Sequence, residues 1–265
     1  MLQIKNVYKT FNPGTINEKK ALRNLNLTLE DGDFVTVIGG NGAGKSTMLN
    51  MIAGVFPPDA GKILIDDIDV TRLPEHKRAA YLGRVFQDPM MGTAADMWIE
   101  ENMALAAGRG EKRGLHWAIK NKQREEFKEL LKELDLGLEN RLSTKVGLLS
   151  GGQRQALTLL MATMKRPKLL LLDEHTAALD PKTAAKVLEL SEKLIREEGL
   201  TALMITHNMK DAIHYGNRLI MMNEGQIILD IKGEEKKKLT VEDLLRAFTR
   251  LSGNEFVNDR ALLAK

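Results

Sequence analysis

The stretch Gly39-Gly40-Asn41-Gly42-Ala43-Gly44-Lys45-Ser46-Thr47 fits the pattern G-x-x-x-x-G-K-S/T. Residues of these types at this spacing hold phosphate. Glycines let the backbone curl until successive N–H groups converge on an anion. A helix starting at the end of the loop adds partial positive charge. Lys45 is placed to reach β- and γ-phosphates, and the Ser46 hydroxyl to meet Mg²⁺. The plain alternative is a glycine turn with an exposed lysine. The apolar run Phe34–Ile38 before the loop and the helix-like stretch Lys45–Ala53 after it supply the context the phosphate reading requires.

Two other groups could do chemistry. Leu169 to Leu172 form an apolar run ending in Asp173-Glu174. Open α/β sheets collect ligands at the carboxyl ends of their strands. Asp173 there can hold Mg²⁺ through water, and Glu174 can orient or deprotonate an attacking water. A strand ending in two acids is by itself usually structural, and the value of this one comes from the phosphate loop upstream. Leu149-Ser150-Gly151-Gly152-Gln153 precedes a helical stretch that runs toward Pro167. Ser150 suits the N-cap, with glycines clearing space at the helix start. That makes a second anion site, or only a cap.

The elements that must position these residues alternate in type. Leu2, Ile4 and Val7 start a strand, and Leu25, Leu27 and Leu29 alternate in another. Lys62–Ile65 and Tyr81–Phe86 read as further strands. From about Thr93 to Lys165 the pattern is mostly helical, clearest over His116–Leu136, where Phe127, Leu130, Leu131 and Leu134 share one face. Strands return at Leu169–Asp173, Ala202–Thr206, Arg218–Met222 and Gln226–Leu229. Val241–Leu251 reads as an amphipathic helix. The run Glu234–Lys238 reads as a solvated turn. Strands alternating with helices predict an α/β fold with a mainly parallel sheet.

Composition narrows the classes. The 265 residues carry 39 Lys+Arg against 36 Asp+Glu, a balance too even for a dedicated nucleic-acid binder. Hydrophobic residues at 43% and charged residues at 28% describe an ordinary globular chain. There is no cysteine, which removes disulfides, thiol catalysis and thiolate metal sites. No apolar run approaches the ~20 residues of a spanning helix, and the first residues lack the apolar segment of an export signal. The expected place is the cytoplasmic face of the cell membrane, held there peripherally through a partner.

Taken together and in order, these motifs resemble the ATP-binding subunit of a bacterial ABC transporter over residues 1 to about 230. The phosphate loop is followed by Gln87 in Val85-Phe86-Gln87-Asp88-Pro89, the signature Leu149–Gln153, Asp173-Glu174, Ala178-Leu179-Asp180, and His207 after Leu203-Met204-Ile205-Thr206. The resemblance implies a single ABC ATPase domain with a P-loop NTPase (RecA-like) core. A nucleotide-binding core with an N-terminal antiparallel β subdomain would span 1–92 and 166–230. A helical subdomain carrying the signature would span 93–165, and a helical extension 231–265.

It also implies roles. Two copies pack head to tail, each burying ATP between its own phosphate loop and its partner's Ser150, Gly151, Gly152 and Gln153. Phe11 stacks on adenine, with Tyr8 the weaker candidate and plain strand packing the alternative. Gln87 joins the Mg²⁺ site to the helical subdomain, His207 contacts the γ-phosphate and orients water, and Asp180 couples the two sites. Two departures stand out: Gly40 fills a position often Ser or Pro, which is harmless, and His175 stands where many members have Pro. His175 touches the second nucleotide site or fills space.

The resemblance also implies a separate transmembrane permease. Met90, Met91, Met97, Trp98 and Met103 offer either an adaptable docking surface or core filling. The motif details favour import of a small solute such as an amino acid, with an extracytoplasmic solute-binding protein reached through the permease. An exporter or lipid-handling ATPase, and a soluble ABC ATPase acting on ribosomes or DNA, are the competing functions. A small-molecule kinase would share only the phosphate loop and leave Leu149–Gln153 unexplained. Arg109, Lys112, Arg113, Lys120, Lys122 and Arg124 form a basic stretch, read as a solvated helix face or as a contact with anionic lipid.

Overall fold

The computed structural model describes residues 1–111 and 119–252, which fall into two compact units. The first contains Met1–Arg78 and the described residues from Gly199 onward. The second is Ala79–Glu198.

In the first unit the strands β1 (Leu2–Phe11), β2 (Lys19–Leu29), β4 (Ala60–Ile65) and β5 (Ile68–Asp69) make an antiparallel sheet in the order β2-β1-β4-β5. The alternation seen in the sequence sets the register. Leu2 pairs with Leu29 and Ile4 with Leu27, so one apolar face is buried throughout. Asp66 and Asp67 both take positive φ and turn β4 into β5, a two-residue hairpin that the sequence reading left out.

A second sheet in this unit places β3 (Phe34–Ile38) between β8 (Thr201–Ile205) and β9 (Arg218–Asn223), all parallel. β10 (Gln226–Lys232) adds to β9 in the antiparallel sense. Every residue of β3 and β8 is buried, the continuous apolar run expected of a strand covered on both faces. Helices α1 (Lys45–Ala53), α2 (Glu75–Arg78), α7 (Met209–His214), α8 (Glu234–Lys237) and α9 (Val241–Ser252) complete the unit. Leu244 and Phe248 of α9 pack on Ile38, Met209, Ala212, Leu219 and Met221. Each such side chain contributes about 1.5–3 kcal/mol on burial.

The reading of Glu234–Lys238 as a solvated turn is wrong. The segment is the short helix α8, and Lys236 is buried. Its Nζ donates to the carbonyls of Tyr215 and Gly216, the latter at 3.0 Å. Those carbonyls follow the last residue of α7, where the helix dipole is negative. The lysine charge is thus satisfied by backbone rather than by water.

The second unit pairs β6 (Leu82–Val85) with β7 (Leu169–Asp173) in parallel. Its helices are α3 (Ile99–Ala107), α4 (Asn121–Lys132), α5 (Gly151–Thr163) and α6 (Pro181–Glu197). Ile99, Met103, Phe127, Leu131, Leu157 and Leu160 belong to one core. Among the described residues of 93–165 the chain is less helical than the periodicity suggests. Short 3-10 turns at Leu138–Asn140 and Val146–Leu148 and a strand bridge between Trp98 and Lys145 separate the helices. The helix expected over His116–Leu136 runs Asn121–Lys132; residues 116–118 lie outside the described residues, and Asp135 and Gly137 at positive φ stop its far end.

Two arginines of the basic stretch are engaged by the protein, Arg109 partly buried and Arg124 exposed. Arg124 grips the buried Glu100 through two bonds of 2.7 and 3.0 Å, and Arg109 donates to the carbonyl of Ala162. Lys112 and Arg113 lie outside the described residues. Met103 is core, whereas Met90, Met91 and Trp98 are exposed.

Candidate nucleotide site

In the first unit, parallel pairing sets Val37 of β3 level with Ile205 of β8. The chain segments that follow, Gly39–Lys45 and Thr206–Asn208, therefore leave the same end of that sheet. Gly39 is required by close approach: its φ is +153°, and a Cβ there would sit 2.3 Å from the carbonyl oxygen of Met222. Helix α1 starts at Gly44 with no side-chain cap and no acid in its first turn, so nothing offsets its positive end. Lys45 is buried, and its Nζ donates to the carbonyls of Gly39 at 2.7 Å and Gly40 at 3.1 Å. Asn41, Gly42 and Ser46 are exposed, and Thr47 is half-buried. The Gly225 N–H donates to the carbonyl of Ala43, which ties the loop to the β9–β10 turn. Lys19 comes within 3.2 Å of the Cβ position of Gly42, a cation at the loop tip that motif reading missed.

His207 is half-buried between Thr206, whose hydroxyl accepts from the Asn208 N–H, and Asn208, which caps α7. Phe11 meets Phe56 edge to face at 5.4 Å, with the Lys9 ammonium 5.7 Å from its ring centre. Tyr8 is exposed on the same strand. A second aromatic beside Phe11 was not foreseen, since Phe56 lies 45 residues away in a loop without regular period.

In the second unit, Val85 is level with Leu172. Gln87 and Asp173-Glu174 therefore leave one end of the β6–β7 pair. Arg84 lies 3.6 Å from the Asp173 carboxylate and stacks on Phe86. Glu174 adopts φ +47°, and its carbonyl accepts from the Ala177 N–H, so the chain turns sharply at this carboxylate. A non-glycine residue there stores about 1–3 kcal/mol of strain.

Ser150 is the N-cap of α5. Its hydroxyl accepts from the Gln153 N–H, and the Gln153 side chain accepts from the Ser150 N–H, both at 3.2 Å. Ser150 and Gly151 are exposed. Gly152 faces inward, where a Cβ would fall 2.2 Å from the Thr183 methyl group. Thr183 lies in the first turn of α6, whose N-cap is Asp180. The Thr183 hydroxyl and N–H hold the Asp180 carboxyl below the usual carboxylate range.

The position of His175 is settled: it is buried in the second unit. The Ser191 hydroxyl donates to the Val187 carbonyl at 2.7 Å, so it accepts from His175 Nε2–H at 2.9 Å. Burial pushes the imidazole down to about 4 from 6.5. Between those values the unfolded chain binds a proton that the folded chain refuses. Stability therefore falls as pH drops from about 6.5 to 4, by up to about 3 kcal/mol. Denaturation at stepped pH checks this: His175→Leu should flatten that segment of the profile, and an unchanged slope would remove His175 as its source.

The residues suit a nucleotide triphosphate and Mg²⁺. The loop curls so tightly that a Cβ at Gly39 has no room, and its lysine is already held within it. Ser46 of the first unit, and Asp173 and Gln87 of the second, each carry a hard oxygen atom, the kind of donor Mg²⁺ takes.

Comparison with known proteins agrees. Residues 22–177 match the family described as ABC transporter. A tyrosine transport ATP-binding protein of Clostridioides difficile is 47% identical over 94% of this chain and 98% of its own length. The xylose/arabinose import ATP-binding protein XylG of Sulfolobus acidocaldarius is 34% identical over 94% of each chain. Among solved structures, a dimeric post-hydrolysis state of the ATP-binding cassette MJ0796 bound to ADP and Pi aligns with TM-score 0.74 and 33% identity. It covers 88% of this chain and 98% of that one.

Proposed function

Since this chain belongs to the ABC transporter family and is an ATP-hydrolysing, ATP-binding subunit with the P-loop NTPase fold, we propose that it drives import of an amino acid by closing on a second copy of itself around ATP. One observation carries the dimer reading. The phosphate loop already supplies one anion-binding helix start, yet Ser150 and Gly151 present a second at an exposed surface. In the head-to-tail arrangement, Ser150, Gly151, Gly152 and Gln153 meet the γ-phosphate held by the partner's Lys45. That a similar cassette is dimeric with ADP and Pi supports a dimer as the working state.

The residues then divide the work. Lys45 and the N–H groups from Gly39 to Thr47 bind the β- and γ-phosphates, and Phe11 stacks on the base. Ser46, Asp173 and Gln87 would hold Mg²⁺, which would neutralise charge on the phosphate oxygens. Glu174 accepts a proton from water as its oxygen attacks the γ-phosphorus, and His207 orients that water. The β-phosphate oxygen leaves, giving ADP and phosphate. Loss of the γ-phosphate removes the anion shared by two helix starts, so the copies part. Asp180 couples the two sites.

We also propose a division into a core of 1–92 and 166–230, a signature subdomain of 93–165 and an extension of 231–265. Among the described residues no helix is long and apolar enough to cross a membrane, so transport calls for a separate permease. A groove of about 450 Å³ lined by Phe86, Met91, Asn102, Leu105 and Thr158 suits one of its helices, with Met90 and Trp98 exposed nearby. The C. difficile relative named for tyrosine transport supports an amino acid as the solute.

Affinity purification from detergent-solubilised membranes tests the proposal. The expected partner is a membrane permease, and deletion of this chain should abolish uptake of labelled tyrosine. Recovery of ribosomal subunits or DNA without a permease would reject it. Ser150→Arg should leave ATP binding by the single chain intact, measured by calorimetry, and abolish ATP-dependent dimerisation.

A further inference from the structure

Gln155 is a polar side chain with no exposure in the middle of α5. Its Nε2 donates at 3.2 Å to the carbonyl of Phe86, the carbonyl of the peptide bond that leads into Gln87. Its Oε1 is buried without a hydrogen-bond partner. Exchanging the two ends of the amide would set oxygen against oxygen, so the orientation is fixed. An unsatisfied buried acceptor costs about 1–3 kcal/mol, more than a neutral hydrogen bond returns. Stability alone therefore gives no reason for glutamine here; methionine would fill the same volume without that cost.

Gln155 also does not act alone. Arg154 donates to the Met90 sulfur at 2.6 Å, and a Cβ on Gly92 would fall 2.6 Å from the Thr158 methyl group. Three residues of α5 thus meet the loop 86–92 at three points, Met90, Phe86 and Gly92. The same helix begins at Ser150. Of the three contacts, only the one through Gln155 reaches the peptide of Gln87.

We infer that Gln155 is a positioning residue for Gln87: its amide fixes the Phe86–Gln87 peptide to the signature helix, so that the Gln87 side chain and Ser150 move as one piece. This rests on the reading of Gln87 as a Mg²⁺ ligand of the ATPase. The amide supplies the loop with a donor at the Phe86 carbonyl. Loss of the amide frees the loop without removing any group that touches nucleotide or metal. Displacements of about 1 Å in such supports cost up to about a hundredfold in rate.

The test uses the full chain with Gln155→Met, and Gln155→Leu as a second variant should the first not fold. Melting temperature should be unchanged or higher, and ATP affinity in EDTA unchanged. The Mg²⁺ concentration for half-maximal hydrolysis should rise about tenfold, and turnover fall about ten- to a hundredfold. Gln87→Ala is run alongside and should shift the same Mg²⁺ dependence. If Gln87→Ala is impaired while the Gln155 variants keep normal turnover and Mg²⁺ dependence, the positioning role is overturned and the Gln87 reading stands. If Gln87→Ala itself hydrolyses normally, both fall.

Discussion

Glu174→Gln is expected to bind ATP with near-normal affinity, to hydrolyse it about 10²- to 10⁴-fold more slowly, and to accumulate as a dimer when ATP and Mg²⁺ are present. The amide keeps the shape of the carboxylate and removes its basicity. Glu174 sits at a sharp turn just after the buried strand Leu169–Leu172, so the change is borne by a rigid support. The helix starts proposed to bind phosphate are untouched, so in the proposed arrangement the γ-phosphate remains as the bridge. Single-turnover assays and light scattering check the two halves separately. Normal turnover would remove Glu174 from the role of general base; a slow enzyme that remains a single chain under saturating ATP would contradict a dimer held together by the nucleotide.

Arg78→Ala is expected to cost about 3–5 kcal/mol of folding stability, read from urea denaturation. Arg78 is almost wholly buried and spends its donors on backbone. Its Nη1 reaches the carbonyls of Met51 and Ile52 at 2.6 and 2.9 Å, its Nε that of Leu73 at 2.8 Å, and its Nη2 that of Thr71 at 3.0 Å. The first two lie in the last turn of α1, whose first residue is Lys45; the Met51 carbonyl also accepts from the Gly54 N–H at 3.2 Å. Burial lowers the guanidinium to about 10, still charged at neutral pH, so it meets the negative end of α1 as a cation. Truncation removes the Arg78 donors from all four carbonyls, of which that of Met51 keeps the Gly54 N–H, and leaves a cavity. Arg78→Lys should rescue little, because one ammonium cannot span four carbonyls. A loss below about 1 kcal/mol for Arg78→Ala would show that water takes over these bonds.

What the sequence made legible and what it did not follow one physical line. The loop Gly39–Thr47 and the cap at Ser150 are local: their geometry follows from glycine freedom and from a side chain bonding its own next turn. Strands β3, β7 and β8 are continuous apolar runs, legible for the same reason. Arg78, Lys236 and Gln155 look like ordinary surface residues in sequence. Each is buried because its partners lie far along the chain or in another element: Met51 and Ile52, Tyr215 and Gly216, and Phe86. No period or motif announces such pairs. His175 was ambiguous for a related reason, since only the packing of α6 decides that its partner is Ser191. Gly152 was read as clearing space at the helix start, but its neighbour Thr183, 31 residues on, could not be named.

The claim on which most depends is that each nucleotide is shared by two copies of this chain. Mixing two defective variants tests it most directly, both in the Glu174→Gln background so that ATP is retained. One carries Lys45→Ala in the phosphate loop, the other Ser150→Arg in the signature. Alone, each should remain a single chain with ATP and Mg²⁺ by light scattering. Mixed, they should form a dimer that retains ATP, because the intact loop of one copy faces the intact signature of the other. A mixture that scatters as separate chains, or either variant dimerising with ATP by itself, would contradict the shared site.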